Sequence, residues 1–150
     1  MSDAAQRPGG SRSEILHGTC VAIDDKAALI LGPSGSGKSG LALSMMALGA
    51  TLVADDRVVL EARGGDVWAS PPDPIAGLIE MRGIGLLHAP FRAPVKLCVV
   101  VDLAAEEVDR LPPQRHMPVL GTRIDLLHRV DTPYFGAGVI HFLRFGRLET

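Results

Sequence analysis

Short apolar runs separated by polar turns dominate the first half of the chain. Residues 15–23 and 27–31 form two such runs on either side of the turn at residues 24–26, which predicts a β-hairpin. After a Gly/Ser-rich segment, apolar residues return at the i, i+4 and i+7 spacing of an amphipathic helix that ends at Gly49. These residues are Leu41, Met45 and Leu48. The pattern therefore predicts strand, strand and helix in that order.

Further strands are predicted beyond this helix. They cover residues 51–54, 57–62, 66–69, 78–81, 95–103 and, more weakly, 117–124. Gly64-Gly65 is a hairpin signal between the second and third of them. The near-continuous apolar run at 95–103 is typical of a strand that is buried on both faces. Strand is thus expected to outweigh helix.

Two helices are predicted in the second half, a short one at residues 104–111 and a final one at 134–145 that two glycines weaken. Residues 1–13 are polar and rich in Gly, Ser and Arg, so they are predicted to form a flexible lead. Residues 14–150 then form a single domain. Its predicted fold class is α/β.

Composition limits the class of protein and its partners. The 150 residues carry a formal net charge of −2, with 47% hydrophobic and 21% charged residues, which predicts a globular domain. This balance favours neither nucleic-acid nor membrane binding, and no apolar run reaches the about 18 residues of a membrane span. Cys20 and Cys98 have no zinc-ligand spacing, so reduced thiols in a cytoplasmic protein are expected.

The Gly/Ser-rich segment matches the phosphate-loop pattern G-x-x-x-x-G-K-[ST] in full. Its residues are Gly32, Pro33, Ser34, Gly35, Ser36, Gly37, Lys38 and Ser39. Glycines let backbone N–H groups point at phosphate oxygens, and the following helix N-terminus adds donors and a favourable dipole. In such loops the lysine reaches the β- and γ-phosphates and the serine hydroxyl ligates magnesium. The segment predicts a nucleoside triphosphate and Mg²⁺ as ligands.

Phosphoryl transfer also needs acidic groups that place the metal and the nucleophile. Asp55-Asp56 directly follow the strand after the helix, and adjacent carboxylates could divide the two tasks. Asp102 is a second candidate in the position of a Walker B aspartate, but it could instead cap the predicted short helix. Glu80 lies in an apolar run, where an unpaired carboxylate is costly. Either it pairs with Arg82 or it shares in the metal site, and spacing alone leaves both open.

Four motifs together resemble the catalytic domain of the HPr kinase/phosphorylase family. They are His17-Gly18, the phosphate loop, the run L-V-A-D-D at 52–56 and the run E-M-R-G-I-G at 80–85. The resemblance implies a P-loop fold related to phosphoenolpyruvate carboxykinases, with a strand-rich mixed sheet and flanking helices. It also implies that the protein uses ATP, with Mg²⁺, to phosphorylate a serine of an HPr-like phosphocarrier protein. Family members commonly reverse this reaction with inorganic phosphate, releasing pyrophosphate, and form hexamers.

The resemblance also implies roles for single residues. Asp55 matches the general base that takes the serine proton, and Asp56 and Glu80, with Ser39, match the metal site. His17 matches a histidine near the phosphates.

Two arginines are expected to act beside these groups. Arg82 would help to hold the phosphate-bearing groups, and Arg123 lies in a segment, 118–123, that partly resembles the family's later loop P-V-x-P-G-R-N. Thr122 and Ile124 depart from that loop, which weakens the case for the reverse reaction.

Two other functions remain open at this point. One is a nucleotide-binding sensor that reports to a regulatory partner, and the other is a small-molecule kinase on the same scaffold. The catalytic motifs begin almost at the start of the chain, as in the short form of the family found in alphaproteobacteria. His88, His116 and His128 have no metal-ligand spacing and are predicted to lie at the surface or in loops.

Overall fold

The computed structural model of the chain describes residues 12–149. The strands in this part are β1 (Ser13–His17), β2 (Thr19–Ile23), β3 (Lys26–Leu31), β4 (Thr51–Ala54), β5 (Arg57–Arg63), β6 (Asp66–Ser70), β7 (Leu78–Met81), β8 (Gly85–His88), β9 (Val95–Glu106), β10 (His116–Val119) and β11 (Thr122–Arg129). The α-helices are α1 (Lys38–Ala47) and α2 (Phe135–Phe145), and one short 3-10 helix spans Asp73–Ile75. The predicted lead at 1–13 falls outside the described residues except for its last two, and Ser13 already belongs to β1.

One large mixed sheet holds nine of these strands. Its order is β1-β5-β6-β9-β3-β2-β4, with β11 also on β9 and β10 beside β11. The β3–β9 and β9–β11 pairs are parallel, and the other pairs of this sheet are antiparallel. β9 is the central strand, because β3 runs along one of its edges while β6 and β11 share the other. The predicted strand-rich α/β architecture is confirmed.

Both faces of this sheet are buried, as the alternation along β2 shows. Cys20 and Ala22 point into one hydrophobic core, and Val21 and Ile23 point into the other. The first core is built from strands alone, because β4 contacts β6 and β2 contacts β5 where the sheet curls over itself. The second core lies under the two helices and includes Met45 of α1 and three residues of α2: Val139, Ile140 and Leu143.

The strand predicted over residues 15–23 is in fact two strands that break at Gly18. A Cβ on Gly18 would lie 2.9 Å from Ile30 O, so only glycine allows this close approach to β3. Before the break β1 pairs with β5, and after it β2 pairs with β3 and β4. The break turns His17 away from the hairpin and towards the phosphate loop.

The helix predicted over residues 104–111 was wrong. β9 continues as a strand to Glu106 because β11 pairs with it, with His128 opposite Asp102 and Arg129 opposite Glu106. The carboxylate of Asp102 accepts a hydrogen bond from the backbone N–H of Ala104 at 2.9 Å, but no helix follows for it to cap. The weak strand predicted at 117–124 is likewise two strands, β10 and β11, joined by a turn at Leu120-Gly121.

The final predicted helix is confirmed as α2. Gly136 allows α2 to approach α1, since a Cβ there would lie 2.9 Å from Ser44 Oγ and 3.2 Å from Met45 Cγ. Gly138 faces open space and has no such packing role. Neither helix in residues 12–149 is long and apolar enough to cross a membrane.

The cysteines and two of the histidines are less exposed than surface residues. Cys20 is buried and Cys98 is half-buried, both are free thiols, and burial raises the pKa of each. His116 and His128, which were predicted to lie at the surface or in loops, are half-buried on β10 and β11. His88 is exposed, although it ends strand β8.

Candidate active site

The phosphate loop connects β3 to α1, as its sequence predicts. Gly32, Gly35 and Gly37 adopt φ values of 154°, 83° and 98°, which curl the backbone in a way that side chains would oppose. Gly37 N-caps α1, so the first turn of the helix lies directly under the loop. Lys38 Nζ donates to Gly32 O at 2.8 Å and to Pro33 O at 3.2 Å, which holds the ammonium group across the loop.

Asp55 is the most buried and most extensively hydrogen-bonded acidic group of the site. It is only 6% exposed, and its Oδ1 accepts hydrogen bonds from Thr19 Oγ1 at 2.8 Å and from Ser39 Oγ at 2.9 Å. Its Oδ2 accepts one from the backbone N–H of Glu80 at 2.9 Å. A carboxylate offers about four acceptor positions, so about one remains open, on Oδ2. The phosphate loop, β2 and β7 therefore hold Asp55 in a single orientation.

Asp56 differs from its neighbour in exposure and conformation. Its side chain is 59% exposed, and its φ of 71° is uncommon for a residue other than glycine. The backbone carbonyl of Asp56 accepts from Gly18 N at 3.1 Å and from His17 Nδ1 at 2.9 Å. The same His17 nitrogen lies 3.6 Å from Asp56 Oδ1. The break at Gly18 thus places the predicted histidine beside the second aspartate.

Strands β7 and β8 form a separate two-stranded sheet beside the loop. Ile79 is buried in the second core and anchors this hairpin, while Glu80 and Arg82 extend it over the site. Glu80 is exposed, so the burial cost that its apolar run suggested does not arise. No ion pair joins Glu80 to Arg82 in the part of the chain that the structure describes. The alternative in which Arg82 neutralises a buried Glu80 was therefore wrong.

These elements enclose a cleft of about 370 Å³, which we call the Asp55 cleft. Most of the predicted site residues line it: His17, Ser34, Gly35, Gly37, Lys38, Ser39, Asp55, Asp56, Glu80 and Arg82. The loop residues Gly32, Pro33 and Ser36 do not line it. Arg123 and Asp102 do not line it either, and Arg123 instead contacts His116 Nδ1 at 3.0 Å on the β10–β11 hairpin. Sequence reasoning missed Thr19. A hydroxyl at the start of an otherwise apolar strand was the available signal.

The donor set of the Asp55 cleft fits magnesium. Mg²⁺ prefers hard oxygen ligands, keeps several waters and uses one or two carboxylates together with phosphate oxygens. The cleft offers the hydroxyl of Ser39 and three carboxylates, those of Asp55, Asp56 and Glu80. Within residues 12–149 no three His, Cys, Asp or Glu side chains are grouped closely enough to form a protein-only cage. Such a cleft suits an ion whose remaining ligands are phosphate oxygens and water.

A family model for the HPr serine kinase C-terminal domain matches residues 11–93, more than half of the chain and all four motifs that resemble the family. The chain belongs to this family. The family predicted from the four motifs is thereby confirmed.

Related proteins and one solved structure agree with the family. The HPr kinase/phosphorylase of Cupriavidus metallidurans is 36% identical over 124 residues, which are 75% of this chain and 38% of that protein. The Streptococcus thermophilus protein of the same name is 42% identical over 73 residues, 48% of this chain and 24% of the relative. The chain therefore spans well under half the length of these relatives.

The structure of the Hpr(Ser) kinase/phosphatase from Coxiella burnetii has the same fold, with a TM-score of 0.77 at 22% identity. The match covers 87% of this chain and 94% of that one. The likeness includes the strand-rich mixed sheet and extends well beyond the residues that the family model matches.

Proposed function

We propose that this protein is a nucleoside-triphosphate-dependent protein-serine kinase that phosphorylates an HPr-like phosphocarrier protein. The observation that carries the proposal is the single open acceptor position on Asp55, a carboxylate fixed by three donors and facing the cleft beside the phosphate loop. A nucleotide-binding module needs the loop, but it has no need of a carboxylate with one position left for an incoming hydroxyl. The names of the relatives supply the acceptor class.

In the proposed reaction the acceptor serine attacks the γ-phosphorus of the bound nucleotide. The new Oγ–P bond forms as the bond from the γ-phosphorus to the β,γ-bridging oxygen breaks, and the serine proton passes to Asp55 Oδ2. An aspartate is a weak base, but it can accept this proton late, when the hydroxyl is already bonding to phosphorus. Positioning is therefore more important here than a large change in basicity.

The other residues of the Asp55 cleft would neutralise and align the phosphates. Lys38 would leave its loop carbonyls for the β- and γ-oxygens, and Arg82 would hold the transferred group from the opposite hairpin. Ser39, Asp56 and Glu80 would hold Mg²⁺, which supplies charge neutralisation between the phosphates. His17 would stay near the phosphates through its hydrogen bond to Asp56 O.

Several finer features follow from the same family membership. We propose ATP as the donor, a P-loop relationship to phosphoenolpyruvate carboxykinases, and a homo-oligomer, a hexamer by family resemblance. The reverse reaction would use the same cleft, with Asp55 activating inorganic phosphate for attack on phosphoserine. The departures at Thr122 and Ile124 make the kinase direction the better supported of the two.

The test is transfer of label from γ-labelled ATP, with Mg²⁺, to the HPr-like protein of the same organism. We expect label on a serine, loss of transfer by about 10³-fold in Asp55→Asn, and nucleotide affinity within about threefold of wild type. Asp56→Asn is the matched control, because it also removes one carboxylate charge but is expected to raise the Mg²⁺ requirement. Nucleotide binding without any transfer would reject the protein-serine kinase in favour of a sensor or a small-molecule kinase.

A further inference from the structure

A second cleft of about 420 Å³ lies on the other side of the phosphate loop. We call it the Thr132 cleft. It is formed by the loop, α1, the last part of β9, and the segment that joins β11 to α2. Gly37 lines both clefts. Strand β3, which leads into the loop, has β2 on the side of the Asp55 cleft and β9 on the side of the Thr132 cleft, so the two clefts flank the same loop. If a ligand binds on the loop, the part of that ligand far from Asp55 would lie in the Thr132 cleft.

The walls of the Thr132 cleft are largely apolar. Leu41 of α1, Leu103 of β9, Pro133 and Phe135 contribute side chains, and Phe135 is the first residue of α2. Apolar walls with an aromatic ring suit a flat ring system, which buries both faces in such a slot. A phosphate group would gain nothing from these walls.

Two hydroxyls of this cleft lack protein partners. Ser36 Oγ and Thr132 Oγ1 are shielded from solvent, yet neither has a hydrogen-bond partner among residues 12–149. Leaving a shielded polar atom without a partner is costly, and native structures rarely tolerate it without a reason. Both residues line the cleft, so a rotation about χ1 would turn either hydroxyl towards it, where a polar ligand would supply the missing bond.

The charges of the Thr132 cleft exclude a second phosphate site. Its cation, Arg129, already donates to Leu103 O at 2.7 Å and to Asp131 at 2.9 Å, and it lies 3.8 Å from Glu106. Asp131 is itself 62% exposed and offers acceptor oxygens. The ligand part that fits is uncharged, flat and rich in hydroxyl or amino groups.

We infer that the Thr132 cleft binds the nucleoside, the base and ribose, of the nucleotide whose phosphates lie on the loop. The inference rests on the proposed function, because it needs a nucleotide on the phosphate loop. The base would lie between the apolar walls, and its polar edge or the ribose would bond Ser36, Thr132 and Asp131. The reacting end of the nucleotide would then lie in the Asp55 cleft.

The test compares two ligands that share a polyphosphate and differ in the nucleoside. Dissociation constants of ATP and of inorganic tripolyphosphate, both with Mg²⁺, are measured by calorimetry on the full chain. Val130→Trp places a large side chain at the rim of the Thr132 cleft, where Val130 is 38% exposed. Val108→Trp is the matched control, because Val108 is 85% exposed and lines neither cleft.

We expect wild type to bind ATP more tightly than tripolyphosphate. Val130→Trp should weaken ATP by about tenfold or more while changing tripolyphosphate less than about twofold, and Val108→Trp should change neither. Thr132→Val, which keeps the side-chain shape, should weaken ATP alone by about threefold to tenfold. Equal affinities of wild type for the two ligands, or equal weakening of both in Val130→Trp, would overturn the inference. Absence of binding by both ligands would overturn the proposed function and the inference with it.

Discussion

The two clefts beside the phosphate loop differ in how their polar groups are satisfied. In the Asp55 cleft the central carboxylate accepts three hydrogen bonds from protein donors and is held in one orientation. In the Thr132 cleft two shielded hydroxyls have no partner among residues 12–149, and the walls are mainly apolar. A group that takes part in chemistry must be positioned before the substrate binds, whereas a group that recognises a ligand can gain its hydrogen-bond partner from that ligand. The contrast separates a reacting end from a recognising end.

The largest effect on the binding of both ligands should come from Lys38, on the loop that the two clefts share. Lys38→Ala removes the ammonium beside the β- and γ-phosphates, and transfer should fall by about 10²- to 10³-fold. Affinities for ATP and tripolyphosphate should fall in parallel, because both ligands place phosphates on the loop. Lys96→Ala is the control, an equal charge loss at an exposed position of β9. A loss of ATP affinity alone would contradict the division into two ends.

The next effect separates two arginines. Arg82→Ala should lower the rate of transfer by about tenfold to a hundredfold, because Arg82 lines the Asp55 cleft. Arg123→Ala should leave the rate within about twofold, because Arg123 lies on the β10–β11 hairpin. Steady-state kinetics with labelled ATP decide this pair. A large loss in Arg123→Ala would show that Arg123 takes part in catalysis, as the family resemblance implied.

A smaller effect is expected where α2 packs against α1 beside the Thr132 cleft. Gly136→Ala introduces a Cβ that would lie 2.9 Å from Ser44 Oγ and 3.2 Å from Met45 Cγ, so these side chains or α2 itself must shift. We expect a loss of about 1–3 kcal/mol in the free energy of unfolding by urea. The affinity for ATP should fall by more than the affinity for tripolyphosphate. Gly138→Ala, two positions away and facing open space, should gain about 0.5–1 kcal/mol. The opposite signs would show that packing, and not helix propensity, governs position 136.

The smallest effect concerns pH. Glu107 accepts two hydrogen bonds from Arg115, both at 3.1 Å, and these hold the pKa of Glu107 below its ordinary value. Because the folded-state pKa is lowered, this carboxylate stabilises the fold fully above its ordinary pKa and loses that contribution as the pH falls through the lowered value. Glu107 N also donates to Arg129 O at 2.8 Å, which ties the end of β9 to the Thr132 cleft.

Acidification should therefore destabilise the fold where Glu107 ties the end of β9 to Arg129. Between about pH 5 and pH 3, the free energy of unfolding should fall more for wild type than for Glu107→Gln, as followed by thermal unfolding. Glu14→Gln, at an exposed position of β1, is the control and should follow wild type. Parallel curves for wild type and Glu107→Gln would reject the role given to this carboxylate.

The Asp55 cleft was largely predictable because its chemistry lies in contiguous motifs. Asp55 directly follows β4, the first strand after α1, and Lys38 and Ser39 open the helix itself, so local order fixes their positions. Thr19 escaped notice because its value depends on pairing between β2 and β4, which brings it to Asp55 from 36 positions away.

The Thr132 cleft was not predictable from sequence. Apart from Ser36 and Gly37 of the phosphate loop, its residues belong to no motif, so only the sheet topology brings them together. The same topology explains the wrong helix at 104–111, where pairing with β11 extends β9 against the local pattern. The turn at Leu120-Gly121 was missed because Leu120 adopts a φ of 49°, which leucine rarely does.

The parallel pairing of β3 with β9 also has a consequence for folding. Ala27 pairs with Leu97, so the strand that carries the phosphate loop gains its central neighbour only from a distant part of the chain. The part that the family model matches, residues 11–93, ends before β9 begins. A fragment of that length keeps nearly every catalytic motif but leaves one whole edge of β3 unpaired. We therefore expect the recognisable part of this sequence not to fold by itself, because the sheet under the loop is complete only once β9 has paired with β3 as far as residue 102.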